Sequence, residues 1–385
     1  MKIVRIRVLE FHRQLDGRTW NPVSRWTRRS APLLAIETDA GLTGLGEAWC
    51  RQDQVSLVLE RLASQWAPVL LGSDPQLLHA LAVDAQMTDG PVEAWVAAAA
   101  ASAVDIALWD LRAQAAGVPL WRHLGGQSAR VAVYASGGLY RDGTQSQDLA
   151  HEFAGHAQFG FTAMKMKVGA LGLAADLERV CSVREAIGGD RRLWVDAVNQ
   201  LTRDSAPAWC EALAQAGVAA IQAPLPFDDI GGMARVNAHM LPVIADETQW
   251  RDAGFRALLD ANAVSHLQFC LGLCGGFSGA LRIDDAAASH AVATTPQCHS
   301  TAILQAASLH FGAARRNVDS VEYHRFHDHL SDMLPTAMRR INDGYVDLDD
   351  QPGLGIGRPA LGMQADGSEI RVYRSIALQH QTSHS

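Results

Sequence analysis

Between Val131 and Tyr323 the chain alternates short apolar runs with helical stretches, and this rhythm limits the possible folds more than any other feature. The runs are Val131 to Ser136, Ala163 to Val168, Leu193 to Asp196, Ala219 to Gln222, Val243 to Glu247, His266 to Cys270, Ala291 to Thr295 and Ser320 to Tyr323. Helical spacing of apolar residues fills intervals such as Ser205 to Ala216 and Ala253 to Ala261. Alternation of this kind builds parallel sheets, and eight units close into a barrel. The fold class expected is therefore α/β, a modified TIM (β/α) barrel.

The flanking segments read differently. Ile3 to Glu10, Pro32 to Asp39 and Thr43 to Trp49 alternate like strands, with a turn at Ala40-Gly41 that predicts a hairpin. Helical patterns follow over Gln54 to Val69, Pro75 to Met87 and Val92 to Ala116, the last stopped by Gly117-Val-Pro119. The most apolar run, Val96 to Leu111, is interrupted by Ser102, Asp105 and Asp110, which marks a buried helix rather than a membrane span. A late strand, Ile370 to Tyr373, is expected to return to the N-terminal sheet, and the last ten residues to fray. The domains expected are 1–128, an α+β domain; 129–342, the barrel; and 343–385, a segment returning to the first domain.

Charge narrows the partners. The chain has 41 acidic residues against 33 Lys plus Arg, a net charge of -8, so a nucleic-acid partner is not expected. The six cysteines lack metal-finger spacing in a chain too large to need staples, which fits a reducing cytoplasm, and the start of the chain lacks the apolar run of a signal peptide. No membrane partner is expected.

Barrel active sites form where the strands end, so the polar residues closing each run carry the chemistry. The second run holds Lys165 and Lys167, two residues apart and therefore on one side of a strand. A lysine beside another cation has its pKa lowered and becomes a usable base; the alternative is an exposed basic edge. The third run ends in Asp196, followed by Asn199 and Gln200; the fourth in Gln222; the fifth in Asp246-Glu247; the eighth carries Glu322. Carboxylates on successive strands facing lysines suit Mg²⁺, a hard cation that takes oxygen ligands and keeps positions open for substrate. The bland role for each acid is a helix cap. The loop Trp20 to Arg29 holds two Trp and three Arg, either sticky surface or a lid over an anionic ligand.

Together these features resemble the mandelate racemase and muconate lactonizing enzymes of the enolase superfamily. The resemblance rests on Asp105-Ile-Ala-Leu-Trp-Asp-Leu111, Gly117-Val-Pro-Leu, Leu124-Gly-Gly126, the Lys-x-Lys strand, Val195-Asp-Ala with Asn199-Gln200, Ala245-Asp-Glu247, Gly275-Gly276 and Pro352-Gly-Leu-Gly. It implies a capping domain closing over the barrel, Mg²⁺, and abstraction of the proton next to a carboxylate to give an enediolate. It implies further that Lys167 is the general base, that Lys165 orients the substrate carboxylate and lowers the pKa of its neighbour, and that Asp196 is a metal ligand. The fifth-strand ligand is Asp246 or Glu247, with Asp246 favoured by the lactonizing branch.

Three positions depart from the family's pattern. Gln222 stands where a fourth-strand Glu is usual, Cys270 where a sixth-strand Asp or Lys is usual, and Gln297 where many members carry a catalytic His. His299 could take the place of the last, and His324 has similar standing; His310 is expected to be packing. Arg25 and Trp26 are the residues of the loop expected to touch substrate, with Asn199 and Glu322 from the barrel.

With only the lysine side furnished, one base that returns the proton to a departing hydroxyl is the economical chemistry. The expectation is a Mg²⁺-dependent acid-sugar dehydratase, a homo-oligomer acting on a small-molecule carboxylate. The alternatives are an epimerase, racemase or cycloisomerase of the same superfamily, and a non-catalytic carboxylate-binding homologue.

Overall fold

The computed structural model describes residues 1–77, 91–326, 329–364 and 367–378. β1 (Ile3–Gln14) runs antiparallel to β4 (Arg28–Thr38), which pairs with β5 (Thr43–Glu47). The stretch between β1 and β4, expected to be a loop, instead contains a small hairpin, β2 (Thr19–Asn21) and β3 (Ser24–Arg25), tightened by the Asn21 side chain accepting from the amides of Val23 and Ser24.

A 25-residue helix, Pro91–Ala115, packs on β5. Its alanines bring the two backbones so close that a Cβ on Gly44 or Gly46 would collide with the carbonyls of Ala107 and Ala103. This helix is long and apolar enough to span a membrane by composition alone, but 78% of its apolar window is buried inside the fold. The two buried acids within it are ties. Asp105 accepts from the Ser278 amide (3.1 Å) and hydroxyl (2.5 Å), and Asp110 accepts from the amides of Leu45 (2.9 Å) and Leu354 (2.8 Å). The helix expected over Gln54 to Val69 is broken into Val55–Arg61, a π-turn at Leu62–Trp66 and Ala67–Leu70. Of the helix expected over Pro75 to Met87 only a 3₁₀ turn, Pro75–Leu77, is described; the remainder lies outside the described residues.

The barrel follows: β6 (Arg130–Gly137), a short β7 (Tyr140–Arg141), β8 (Ala163–Lys167), β9 (Arg192–Asp196), β10 (Ala220–Gln222), β11 (Val243–Ile244), β12 (His266–Cys270), β13 (Ala293–Gln297) and β14 (Val321–His324). The parallel ladder runs β13-β12-β11-β10-β9-β8-β6-β14, and the ring nearly closes where Thr294 bridges to Val318 beside β14. Strand seven begins two residues later than expected because Ala291 turns the chain with φ 56°, which places Gln297 on the strand. Strand five is shorter than expected, leaving Asp246 and Glu247 in the loop after it.

Side chains fill the barrel in layers. Tyr134, Ala163, Trp194, Ala220 and Ile244 close the lower end, with Tyr134 and Trp194 edge to face at 5.0 Å. Polar side chains occupy the levels above. After the barrel, β15 (Tyr345–Asp347) pairs with β6, and the chain crosses to β16 (Gly362–Met363) and β17 (Ser368–Ala377). β17 lies antiparallel along β1, so the five-stranded cap sheet runs β16-β17-β1-β4-β5. The tail expected to fray lies, from residue 379, outside the described residues.

Candidate active site

A cavity of about 1110 Å³ opens at the strand ends between barrel and cap. Lys165, Lys167, Asp196, Asn199, Gln222, Asp246, Glu247, His299 and Glu322 all line it, as do Arg25 and Trp26 from the cap. Every residue expected to bind metal or substrate or to act in catalysis thus reaches one chamber, although they do not act alike within it.

The two lysines leave β8 on the same side but meet different partners. Lys165 is 2% exposed; its Nζ donates to Gln222 Oε1 (2.6 Å) and pairs with Glu322 Oε1 (2.9 Å). Burial works against its charge, but Glu322 and then Asp196 outweigh it and raise the pKa, so Lys165 is a fixed cation. For Lys165 this corrects the expectation that a neighbouring cation lowers a lysine, because Glu322 faces it. Glu322, drawn down to about 2 by Lys165 despite its burial, is the counter-ion of that lysine, and its other oxygen accepts from the Cys298 amide (3.0 Å). Lys167, whose side chain is 16% exposed, pairs with Asp196 and faces the open cavity.

Gln222 links the layers. Its amide nitrogen donates to Gln268 Oε1, and Gln268 Nε2 donates to the Tyr134 hydroxyl (2.7 Å). The chain Lys165–Gln222–Gln268–Tyr134 therefore fixes the amide orientation. Gln268 was not singled out in the sequence; its signal was a lone amide in the apolar run Leu267 to Cys270.

Above this layer the loop after β9 is wound tightly. Val198 and Asn199 both adopt left-handed backbone (φ 51° and 60°), as does Ala223 (φ 45°) next to Gln222. A β-branched residue in that region is strained and marks a position the surroundings enforce. The turn brings Asn199 Nδ2 to Asp246 Oδ2 (2.8 Å) and the Val198 amide to Asp196 Oδ1 (3.0 Å). Asp246 also accepts from the Thr248 amide (3.1 Å) and hydroxyl.

These residues suit a hard divalent cation in type. Asp196, Asp246, Glu247 and the Gln222 oxygen are all oxygen donors at or just beyond the ends of neighbouring strands. Burial first, then Asp246, pushes Glu247 up to about 8, and burial, with Asp196 contributing, raises Asp246; adjoining buried acids of this kind are what a divalent ion stabilises. Among the described residues no three acid, imidazole or thiol groups already surround one point, and the middle donor of the set is an amide.

The opposite wall is imidazole and indole. The His299 and His324 rings lie 4.5 Å apart, and Trp26 meets His299 edge to face at 5.8 Å. Burial, then Arg29, lowers the pKa of His299 well below the ordinary range, and burial takes His324 to about 3, so both rings are neutral and weakly basic. Gln297, 3% exposed, has an amide oxygen without a hydrogen-bond partner among the described residues. Trp49, Trp95 and Trp250 form a second aromatic face, with neighbouring rings 5.8 and 6.1 Å apart. Cys270 and Cys298 are buried, and burial raises their thiols far above the range of a thiolate nucleophile. His310 lies elsewhere, bonded to the Trp121 amide and the Leu354 carbonyl.

At the rim, Arg25 gives its charge to Asp142 (2.6 Å) and stacks on Trp20, which in turn stacks on Tyr140 at 4.7 Å. β2 also pairs with β7, so the hairpin is fastened to the first barrel loop.

Comparison with known proteins matches this architecture. Residues 147–358 match the description "Enolase C-terminal domain-like", and residues 14–125 match "Mandelate racemase / muconate lactonizing enzyme, N-terminal domain". The chain belongs to the mandelate racemase and muconate lactonizing enzyme family. Similar curated members include the D-galactarolactone cycloisomerase of Agrobacterium fabrum, 32% identical over 92% of this chain and 96% of that protein. Another is the arabinonate dehydratase of Saccharolobus solfataricus, 29% identical over 83% and 86% respectively. A racemase from Streptomyces coelicolor A3(2), solved with bound magnesium, superposes with a TM-score of 0.83 at 26% identity, covering 92% of this chain and 97% of its own.

Proposed function

We propose that this family member is a Mg²⁺-dependent dehydratase of acid sugars in which Lys167 removes the proton α to a substrate carboxylate. The observation that carries the reading is the division of labour on β8. Lys165 is enclosed and held by two partners, whereas Lys167 reaches the cavity beside Asp196.

In this reading Asp196, Gln222, Asp246 and Glu247 hold the ion, with the Lys165 bond to Gln222 exchanged on binding. Bound there, Mg²⁺ supplies electrostatic stabilisation for the charge that develops on the carboxylate oxygens. Lys165, kept cationic by Glu322, orients the same carboxylate. Lys167 takes the α-proton as its bonding pair moves toward the carboxyl carbon. The resulting ammonium then protonates the β-hydroxyl as the C–O bond breaks, releasing water and leaving an enol that becomes the 2-keto-3-deoxy acid. Asn199 positions Asp246, and Trp26 with His299 bounds the substrate. The relatives named above include a dehydratase and a cycloisomerase.

The cycloisomerase relative favours a second reading, in which the same lysine opens or rearranges a lactone rather than expelling water. Incubation with a panel of hexonic, hexaric and lactone substrates in D₂O with Mg²⁺ separates the two by product mass. In either case Lys167→Ala is expected to lower turnover by at least about 1,000-fold, within the range for loss of a general base combined with lost positioning. Full turnover in that variant would sink both readings. We place the protein in the cytoplasm as a homo-oligomer, in keeping with its six free cysteines, and light scattering tests the second point.

A further inference from the structure

We propose that Arg29 binds a second carboxylate, so that the substrate is a dicarboxylic sugar acid held at both ends. The inference rests on the reading of Lys167 as the base and names the substrate class for that same chamber.

β4 opens with two arginines, and strand alternation sends them to opposite sides. Arg28 is exposed, whereas Arg29 is 8% exposed and lines the cavity. Its one hydrogen bond runs from Nη2 to the His299 carbonyl (2.9 Å), and its other N–H groups bond nothing among the described residues. A guanidinium carries five donors in a planar fork, so most of its binding capacity remains directed at the chamber. Burial brings its pKa down to about 10, which leaves it charged at neutral pH.

The cap residue Glu47 acts on Arg29 electrostatically but forms no ion pair with it. Both Glu47 oxygens are taken by the Ser300 and Thr301 hydroxyls and the Thr301 and Leu304 amides. The site thus holds a desolvated cation with no contact counter-ion among the described residues, a place for an anion of the ligand. The His299 ring feels Arg29, His324 and Lys167 together, and all four residues line the one chamber. Arg29 and Lys167 both line the chamber, so a ligand held at the lysine end can also meet the guanidinium. A carboxylate matches the single charge and the fork geometry. A phosphate dianion would leave one negative charge unmatched near Glu47, and a terminal CH₂OH would leave the guanidinium unpaired.

The test is calorimetric binding to the full chain with Mg²⁺ of matched pairs, galactaric with galactonic acid and glucaric with gluconic acid, alongside α-proton exchange. Wild type is expected to bind the diacid of a pair about 10- to 100-fold more tightly than the monoacid, the range for a charge-assisted bond. Arg29→Met should erase that preference by weakening the diacid alone, and Arg29→Lys should restore part of it. Lys167→Ala should keep the preference while losing exchange, which separates this inference from the assignment of the base. Equal binding of both acids by wild type, or equal weakening of both by Arg29→Met, overturns the proposal. If Arg29→Met does not fold, the wild-type ratio and Arg29→Lys decide. Diacid preference without any exchange in wild type would overturn the base assignment and leave Arg29 in its role.

Discussion

Burial acts on single ionisable groups here in opposite ways, according to what faces them. Lys165 and Glu322 lie in the same dry layer and keep their charges because they face one another. His310 has no counter-charge. Its Nδ1 accepts from the Trp121 amide and its Nε2 donates to the Leu354 carbonyl, an arrangement that only the neutral ring satisfies. Burial lowers it from an ordinary 6.5 to about 4. The folded state therefore binds the proton less readily than the unfolded chain. The stabilisation is complete above the unfolded pKa and is lost as pH falls from about 6.5 toward about 4. His310 is expected to contribute about 2 kcal/mol of the fall in stability between pH 7 and pH 5, beside the shares of His299 and His324, and His310→Gln should make the urea midpoints fall less steeply over that segment. An unchanged slope in the variant would show that His310 has no share in it.

Helix Pro91–Ala115 and β5 are in close backbone contact. Gly46 lies against the Ala103 carbonyl with no room for a methyl group. Gly46→Ala is expected to destabilise the fold by about 1–3 kcal/mol through forced separation of helix and sheet, read as a lower midpoint in chemical denaturation. Gly41, with open space around it, serves as the control site, where only its positive φ opposes a side chain. Elements of this kind were the most legible in the sequence. The eight barrel strands, the alanine-rich helix and its Gly-Val-Pro stop follow from periodicity and turn chemistry, which are local. The convergence of Lys167, Asp196 and Asp246 was legible because strand ends in a barrel share one face. What local pattern did not carry was pairing across long separations. Lys165 and Glu322 are 157 positions apart, and nothing near either one announces the other. Arg25 rather than Arg29 was the loop arginine expected to touch substrate, but the position of Asp142 gives Arg25 a partner at the rim and the onset of β4 turns Arg29 inward. The left-handed turn at Val198 was invisible because β-branched residues ordinarily avoid it.

Cap and barrel act as one body through a few buried polar links. Glu47, on the last strand of the cap sheet, holds Ser300, Thr301 and the Leu304 amide at the start of helix Ala302–Ala314, placing a carboxylate at that helix N-terminus. Glu47→Ala strands those donors in the interior and is expected to cost about 3 kcal/mol or more, with the thermal transition broadening as the two parts lose their coupling. Glu47→Gln should retain part of the loss, since an amide can still accept; equal effects from both substitutions would point to packing instead. The cap sheet carries one further consequence, for the order in which the chain can be built. β1 takes β4 on one side, within its own neighbourhood, but on the other side it takes β17, whose residues Ser368–Ala377 come more than 350 positions later. During synthesis at about 5–20 residues per second, that edge of β1 stays unpaired for tens of seconds, the interval in which a nascent chain most needs a chaperone to cover it.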